Sequence, residues 1–224
     1  MSSGRRDVSR ETSAPAPPAY AGALCGDALE PVASYAELLA GPGVAHGLIG
    51  PREVPRLWER HLLNCAVVVP TVPFGAGVID VGSGAGLPGL VWALMRSDLH
   101  IVLVEPLLRR AEFLRWAAQE LGLTGVRVER ARAEELQGRC AAEVVTARAV
   151  APLPRLLGWT LPLVQPGGRL LAFKGRTAGA ELAAASDTLC TAATSAVLTT
   201  YGEGVLDPPT TIVEVSASPS PPFG

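Results

Sequence analysis

The sequence is almost without lysine. Lys174 is the only lysine among 19 basic residues; such arginine bias is mostly composition, and the lone lysine is read beside that as a site for chemistry that a compact ammonium supplies and a planar guanidinium does not. Paired cysteines are lacking as well. Cys25, Cys65, Cys140 and Cys190 lie far apart and form no C-x-x-C pair, which excludes a zinc knuckle and a disulfide scaffold. They are expected to be small buried hydrophobes, and no metal is expected. No apolar run approaches the roughly 20 residues of a membrane helix. Arg5 and Arg6 are followed by Asp7, Ser9, Arg10 and Glu11 rather than by an apolar signal segment. The expected compartment is therefore the cytoplasm, with no membrane partner. No internal repeat is present.

What is present is enough apolar residue for a sizeable core: 48% of 224 residues are hydrophobic. Residues 1 to 24 are rich in Ser, Ala, Pro and Arg without periodicity, and the last nine, "SASPSPPFG", are similar. Tails are expected over 1–24 and 216–224, flanking one domain over 25–215 whose first part, 25–70, is helical. The formal net charge of -2 conceals an asymmetry. Between Arg52 and Arg176 there are 16 Lys plus Arg against 11 Asp plus Glu, and the remainder carries 3 against 10. The middle of the chain can face phosphate, or its arginines can be an ordinary solvated surface.

Ala28, Val32, Tyr35 and Leu39 fall at helical spacing, and the Gly-Pro-Gly at 41 to 43 is expected to end that helix. A second helix is expected from Val54 to Val68, with Leu57, His61 and Cys65 on one stripe. From Val78 onward short apolar runs alternate with longer helical stretches, the pattern of a parallel sheet with crossover helices. The expected strands are Val78 to Val81, Ile101 to Val104, Val126 to Glu129, Glu143 to Thr146 and Arg169 to Phe173. Helices are expected over Leu90 to Arg96, Leu107 to Leu121, Leu153 to Leu163 and Ala178 to Thr191. Two last strands, Ala196 to Tyr201 and Thr211 to Val215, have no room for a crossover helix between them and should pair antiparallel. The architecture expected is α/β, with about seven strands, one of them reversed, and ligands bound at the carboxyl ends of the first strands.

The stretch "VIDVGSGAGLPGL", Val78 to Leu90, places a glycine turn there. Gly84, Gly86 and Gly89 match G-x-G-x-x-G formally, but Gly82 is the glycine that directly follows the strand, giving G-x-G-x-G behind Asp80. An acid at the strand end repels a diphosphate and favours a cationic or zwitterionic ligand, for which S-adenosyl-L-methionine qualifies. Glu105 ends the next strand, where a carboxylate can accept from both ribose hydroxyls of an adenosine or cap the following helix. The segment "RARAEEL", residues 130 to 136, follows the third strand and is placed to meet the adenine edge. An NAD-dependent oxidoreductase and a non-catalytic module that binds S-adenosylmethionine stay open as alternatives.

Taken together, "VIDVGSGAGLPGL", "VEPLLRRAEFLRW", "RAEEL", "VTARAVAPLPRLL" and "GGRLLAFKG" resemble the ribosomal RNA small-subunit methyltransferase G family, also called the glucose-inhibited division protein B family. The resemblance covers about Glu30 to Val215. It implies a Rossmann-like class I methyltransferase with a mostly parallel seven-stranded sheet, an antiparallel C-terminal hairpin and an N-terminal helical cap. It also implies transfer of a methyl group from S-adenosylmethionine to N7 of a guanine in the decoding-region loop of 16S ribosomal RNA. The partner implied is that RNA or the small ribosomal subunit, and a monomer is expected. Carried over to this sequence, the family's cofactor contacts fall on Gly82, Leu87, Ala133, Glu134 and Arg148, beside Asp80, Gly84, Gly86 and Glu105 from the residues themselves. The chain departs from the family at Asn64-Cys65, where Asp-Ser is more common, and at "GPGVAHGLIG", residues 41 to 50.

Guanine N7 carries a lone pair and no proton, so its methylation needs positioning and electrostatics rather than a general base. No Asn-Pro-Pro-Tyr turn and no Pro-Cys nucleophile follows the fourth strand; "TARAVAP" stands there. Two residues are candidates for catalysis. Arg148, past the fourth strand, is expected to contact the cofactor or the O6 and N7 side of guanine, against the alternative of a surface ion pair. Lys174, after the fifth strand, is expected to hold a nucleotide phosphate, against simple solvation. His61 is read equally as a hydrogen-bonded core histidine and as an RNA contact. Arg109, Arg110 and Arg115 fit either a phosphate-facing or a solvated helix face, and Trp92, Trp116 and Trp159 are read as core.

Overall fold

Strand alternation decides how this molecule is layered. The computed structural model describes residues 13–192 and 194–217, and seven strands within them form one sheet: β1 Gly77–Val81, β2 His100–Val104, β3 Val126–Glu129, β4 Ala142–Arg148, β5 Val164–Lys174, β6 Ser195–Tyr201 and β7 Thr210–Ser216. Their order is β3-β2-β1-β4-β5-β7-β6, and β7 is the reversed strand, antiparallel to both β5 and β6. The hairpin of β6 and β7 inserts its second strand beside β5, as the short connection requires. β5 begins five residues before the expected Arg169. Val164 pairs with Ala142 across a register shift, where a side chain at Gly168 would strike the Glu143 carbonyl at 2.6 Å. Glycine is what admits that irregularity.

Successive strand residues point to opposite faces. Val78, Leu103, Val144 and Leu171 pack on one face against the N-terminal helices together with α4 (Gly89–Met95) and α5 (Leu108–Glu120). Ile79, Val81, Val145 and Leu170 pack on the other, against α6 (Leu153–Thr160) and α7 (Ala178–Ala184). In α5 the residues Ala111, Leu114, Ala117 and Ala118 are buried at spacings of three, four and seven, so good helix formers also supply the apolar stripe. Trp92 is fully buried as expected; its indole N–H donates to the Cys65 carbonyl at 3.0 Å, tying α4 to the cap.

The cap differs from the expectation in three ways. First, the chain from residue 13 is packed rather than a tail: α1 spans Ala21–Cys25, the Ala14 N–H donates to Glu37 at 3.0 Å, and the Trp58 indole donates to the Pro15 carbonyl at 2.8 Å. Residues 1–12 and 218–224 of the two expected tails lie outside the described residues. Second, the Gly-Pro-Gly does not end α2 (Leu29–Leu38). The backbone continues through a π-turn over Leu39–Gly43, because a wider turn accommodates the Pro42 ring and needs no N–H from it. Third, the expected helix over Val54 to Val68 is an irregular rod, a 3-10 turn at Pro51–Arg56, a π-turn at Leu57–Leu62, and α3 at Leu63–Ala66. A break at the buried Ala185 likewise divides the expected helix over Ala178 to Thr191 into α7 and α8 (Ser186–Thr191). The cysteines also divide: Cys25 and Cys65 are buried, Cys140 is half-buried, and Cys190 is exposed.

Candidate active site

The glycine turn joins β1 to α4. Gly82, Gly84 and Gly86 have φ of +69°, +58° and +102°, a region that residues with a Cβ rarely enter. A side chain at Gly82 would meet Val150 at 2.7 Å, and one at Gly86 would meet Leu90 and the Tyr35 hydroxyl. The turn is thus enclosed between the loop after β4 and the cap. Tyr35, from α2, donates its hydroxyl to the Ala85 carbonyl at 2.5 Å. Sequence reading placed Tyr35 on a core stripe and missed this clamp; a buried tyrosine needs a partner for its hydroxyl, and that was the available clue.

A cavity of about 460 Å³ opens at the carboxyl ends of β1 and β2. Gly82 and Glu105 form one side, and Ala133 with Glu134 form the other. Glu105 is 2% exposed. Its Oε2 accepts the Gly84 N–H and its Oε1 the Leu107 N–H, each at 3.0 Å, so both oxygens are oriented and keep lone pairs free for a diol. The Arg110 guanidinium lies 4.0 Å from it. Ala133 and Glu134 start a 3-10 turn after β3 and line the cavity. Trp159, read from sequence as core, is instead half-buried on the cavity wall, with the Arg155 guanidinium 4.7 Å above its ring. Leu107 and Val150 are exposed apolar side chains on the cavity lining, the surface a bound planar group would cover.

The other expected site residues do not line this cavity. Gly84 contributes through its bond to Glu105, whereas Gly86 and the buried Leu87 form the underside of the turn. Asp80 was expected to present its charge to a ligand; it is fully buried beneath the turn, because it shares a face with Val78 rather than with Val81. Its Oδ2 accepts the Gly89 N–H at 3.1 Å, and its Oδ1 has no partner among the described residues. Burial pushes its carboxyl up to about 7. Arg148 also points to the cap face. All four of its Nη contacts go to Arg60, His61 and Cys65. Lys174 was expected to meet a phosphate, yet its side chain is 7% exposed and its ammonium donates at 2.8 Å to the Ala151 carbonyl and at 2.8 Å to Glu181. Glu181 also accepts the Leu153 N–H at 2.8 Å. A point charge with several donors suits this bracing of the β4 to α6 loop, which explains a lysine among arginines. That loop carries Ala149 at φ +55°, a left-handed backbone outside glycine that only a braced loop maintains.

This turn is ill suited to a dinucleotide. A pyrophosphate binds where N–H groups at a helix start are free, but here the Gly89 N–H is held by Asp80 and the Leu90 N–H by the Gly86 carbonyl. A ligand with an adenosine and no diphosphate fits better: Glu105 is placed for a ribose and an apolar wall ending in Trp159 for a base. Among the described residues no group of three His, Cys, Asp or Glu is arranged to hold a metal ion, and no helix is long and apolar enough to cross a membrane.

Comparisons with known proteins agree with this geometry. The chain is 56% identical over 196 residues to the ribosomal RNA small subunit methyltransferase G of Thermobifida fusca, covering 87% of this chain and 83% of that protein. It is 53% identical over 216 residues to the protein of the same name from Streptomyces coelicolor, covering 96% and 90%. Among solved structures it is similar to a methyltransferase from Pyrococcus furiosus, with a TM-score of 0.55 and 12% identity over 70% of this chain and 83% of that one. It is also similar to a ribosomal protein L11 methylase from Lactobacillus delbrueckii, with a TM-score of 0.54, 12% identity, and 71% and 79% covered. These structural likenesses show the fold alone. The family model described as rRNA small subunit methyltransferase G matches residues 28–203, and the chain belongs to that family.

Proposed function

We propose that this protein transfers the methyl group of S-adenosyl-L-methionine to N7 of a guanine in the decoding-region loop of 16S ribosomal RNA. The observation that carries the reading is that the bare backbone of Gly82 and the doubly oriented carboxylate of Glu105 line one cavity together. When bound, the donor supplies an electrophilic methyl group on a sulfonium. Glu105 would hold the ribose hydroxyls, backbone at Ala133 and Glu134 would read the adenine edge, and Trp159 would cover the base. Gly82 would let the backbone approach the amino-acid end. Arg110, Arg132 and Arg155 around the cavity supply positive charge toward RNA phosphates. Guanine N7 has its lone pair available, so the chain has no proton to remove; its task is to align, to exclude water and to hold the β4 end still. Neither Arg148 nor Lys174 is needed as a base, which accords with their engagement inside the fold. A soluble protein acting in the cytoplasm as a monomer accords with this reading.

The test is incubation with labelled S-adenosylmethionine and small subunits from cells lacking this protein. Label confined to one guanine, released by chemistry specific for 7-methylguanine, is the expected result. No label in the decoding-region loop rejects the reading, and donor binding without turnover on subunits or on naked RNA would favour a non-catalytic module.

A further inference from the structure

Arg148 is gripped by the cap. Its Nη1 donates to the His61 carbonyl at 3.2 Å and to the Cys65 Sγ at 3.3 Å, and its Nη2 donates to the Arg60 carbonyl at 2.7 Å and meets His61 Nδ1 at 3.0 Å. A guanidinium has donors only, so Nδ1 must accept. The proton of the neutral ring therefore sits on Nε2, which donates to Glu53 Oε2 at 3.0 Å. Glu53, His61 and Arg148 thus form a chain from a part-exposed carboxylate to the carboxyl end of β4, one residue before the strained Ala149 on the cavity wall.

We propose that His61, oriented by Glu53, is the positioning residue that holds Arg148 and with it the β4 end at the methyl-transfer site, and that transfer fails when the ring takes a second proton. The proposal rests on the methyltransferase reading above. A second proton would sit on Nδ1 and point at an Nη2 hydrogen, with two positive charges at hydrogen-bonding distance. Arg148 must then leave the cap, and the loop it anchors loses its reference. The charged or titratable groups facing the ring are Glu53 and Arg60 from the cap and Arg148 from β4, with Arg56 beside Glu53 and with Cys65, Asp80 and Tyr35 behind Arg148. Burial and then Arg148 hold the ring below the ordinary histidine range, outweighing the attraction of Glu53. Burial also keeps Cys65 a thiol, pushed up to about 11. The ring is neutral near pH 7, and its charging lies on the acid side of about 6.5.

The experiment measures kcat and KM from pH 5 to 8 for the full chain and for His61→Asn, His61→Phe and Glu53→Gln, with the His61 ring followed by 15N NMR. In the wild type kcat should fall at low pH with one ionisation below about 6.5, while KM for S-adenosylmethionine changes less than twofold. His61→Asn, which keeps an acceptor near the Nδ1 position and cannot titrate, should lose that acid limb. His61→Phe should lower kcat at least tenfold at every pH, and Glu53→Gln should move the limb to lower pH. If His61→Phe does not fold, the other two variants decide. An acid limb unchanged in His61→Asn, or a ring whose neutral form carries its proton on Nδ1, overturns the proposal. A protein with the expected tautomer and titration that methylates nothing refutes the methyltransferase reading instead.

Discussion

Replacing Asp80 by Asn separates charge from shape beneath the glycine turn. The carboxyl is fully buried, with one oxygen on the Gly89 N–H and the other unpartnered, and burial pushes it up to about 7. In the unfolded chain it titrates near 3.9. The folded state therefore keeps a proton that the unfolded chain has already released. The stability tied to that proton is fully present below about pH 4 and is lost as the pH rises through about 7. A shift of about 3 units amounts to roughly 4 kcal/mol once the pH is near 8, and to roughly 1.5 kcal/mol at pH 5. Asn does not titrate, and its carbonyl keeps the Gly89 bond; its amide is left as a buried donor, which costs about 1–3 kcal/mol at every pH. The intercept is thus mixed, but the slope is not. Stability of the wild type minus that of Asp80→Asn should fall by about 2.5 kcal/mol between pH 5 and pH 8, measured by urea unfolding of both proteins in the same buffers. Other titrating groups cancel in the difference. A difference that stays flat across this range refutes the assignment of a buried, protonatable acid to this position.

Three further substitutions test the site. Glu105→Gln puts an amide where two backbone N–H groups and two ribose hydroxyls need acceptors; S-adenosylmethionine affinity by calorimetry should drop at least tenfold, about 1.4 kcal/mol, and unchanged affinity refutes its role. Gly86→Ala places a Cβ 2.8 Å from the Tyr35 hydroxyl at φ +102°. It should lower stability by about 2 kcal/mol or more in denaturant unfolding. Lys174→Ala leaves Glu181 and the Ala151 carbonyl without their shared donor. Because Glu181 is partly exposed, the loss should be about 2–3 kcal/mol, below that of a fully buried pair, with kcat reduced through the loop. Full recovery in Lys174→Arg refutes the requirement for a compact ammonium.

The glycine turn was legible in the sequence because its constraint is local: three glycines between an apolar strand and a helix specify a positive-φ turn that residues with a Cβ do not form. The sheet was legible for a similar reason, since the spacing of apolar runs and the short link between the last two strands leave one sensible topology. Glu105 followed from the length of the unit between them. The cap was not legible, because its path depends on π-turns through Pro42 and at Leu57–Leu62 that helical periodicity treats as ends or ignores. Trp159 was misplaced because half-buried and core tryptophans show the same spacing along a helix.

Arg148 and Lys174 show why a strand end is a weaker indication than it looks. Residues there are near the ligand whatever they do, so position alone cannot separate a group that touches the substrate from one that steadies the loop around it. The partners that settle the matter are remote in sequence for Arg148, whose contacts on Arg60 and His61 lie 88 and 87 residues away, and no local pattern encodes them. Parity along the strand does carry part of the answer. Asp80 lies opposite Thr146 in the sheet register, and Arg148 is two residues beyond Thr146, so all three side chains point to one face. Val81, opposite Ala147, points to the other, which is the face on which the cavity opens. An alternation count along "VIDVG" and "VTARA" therefore assigns Asp80 and Arg148 to the cap side before any contact is known. It follows that the charge balance under the turn, between a carboxyl near neutrality, a guanidinium and a neutral histidine, is a property of the joint between cap and sheet. On the proposal that His61 positions Arg148, the cap helps to hold the methyl-transfer site, and a chain trimmed to the sheet and its crossover helices should lose methyl transfer even if Glu105 and the glycine turn are intact.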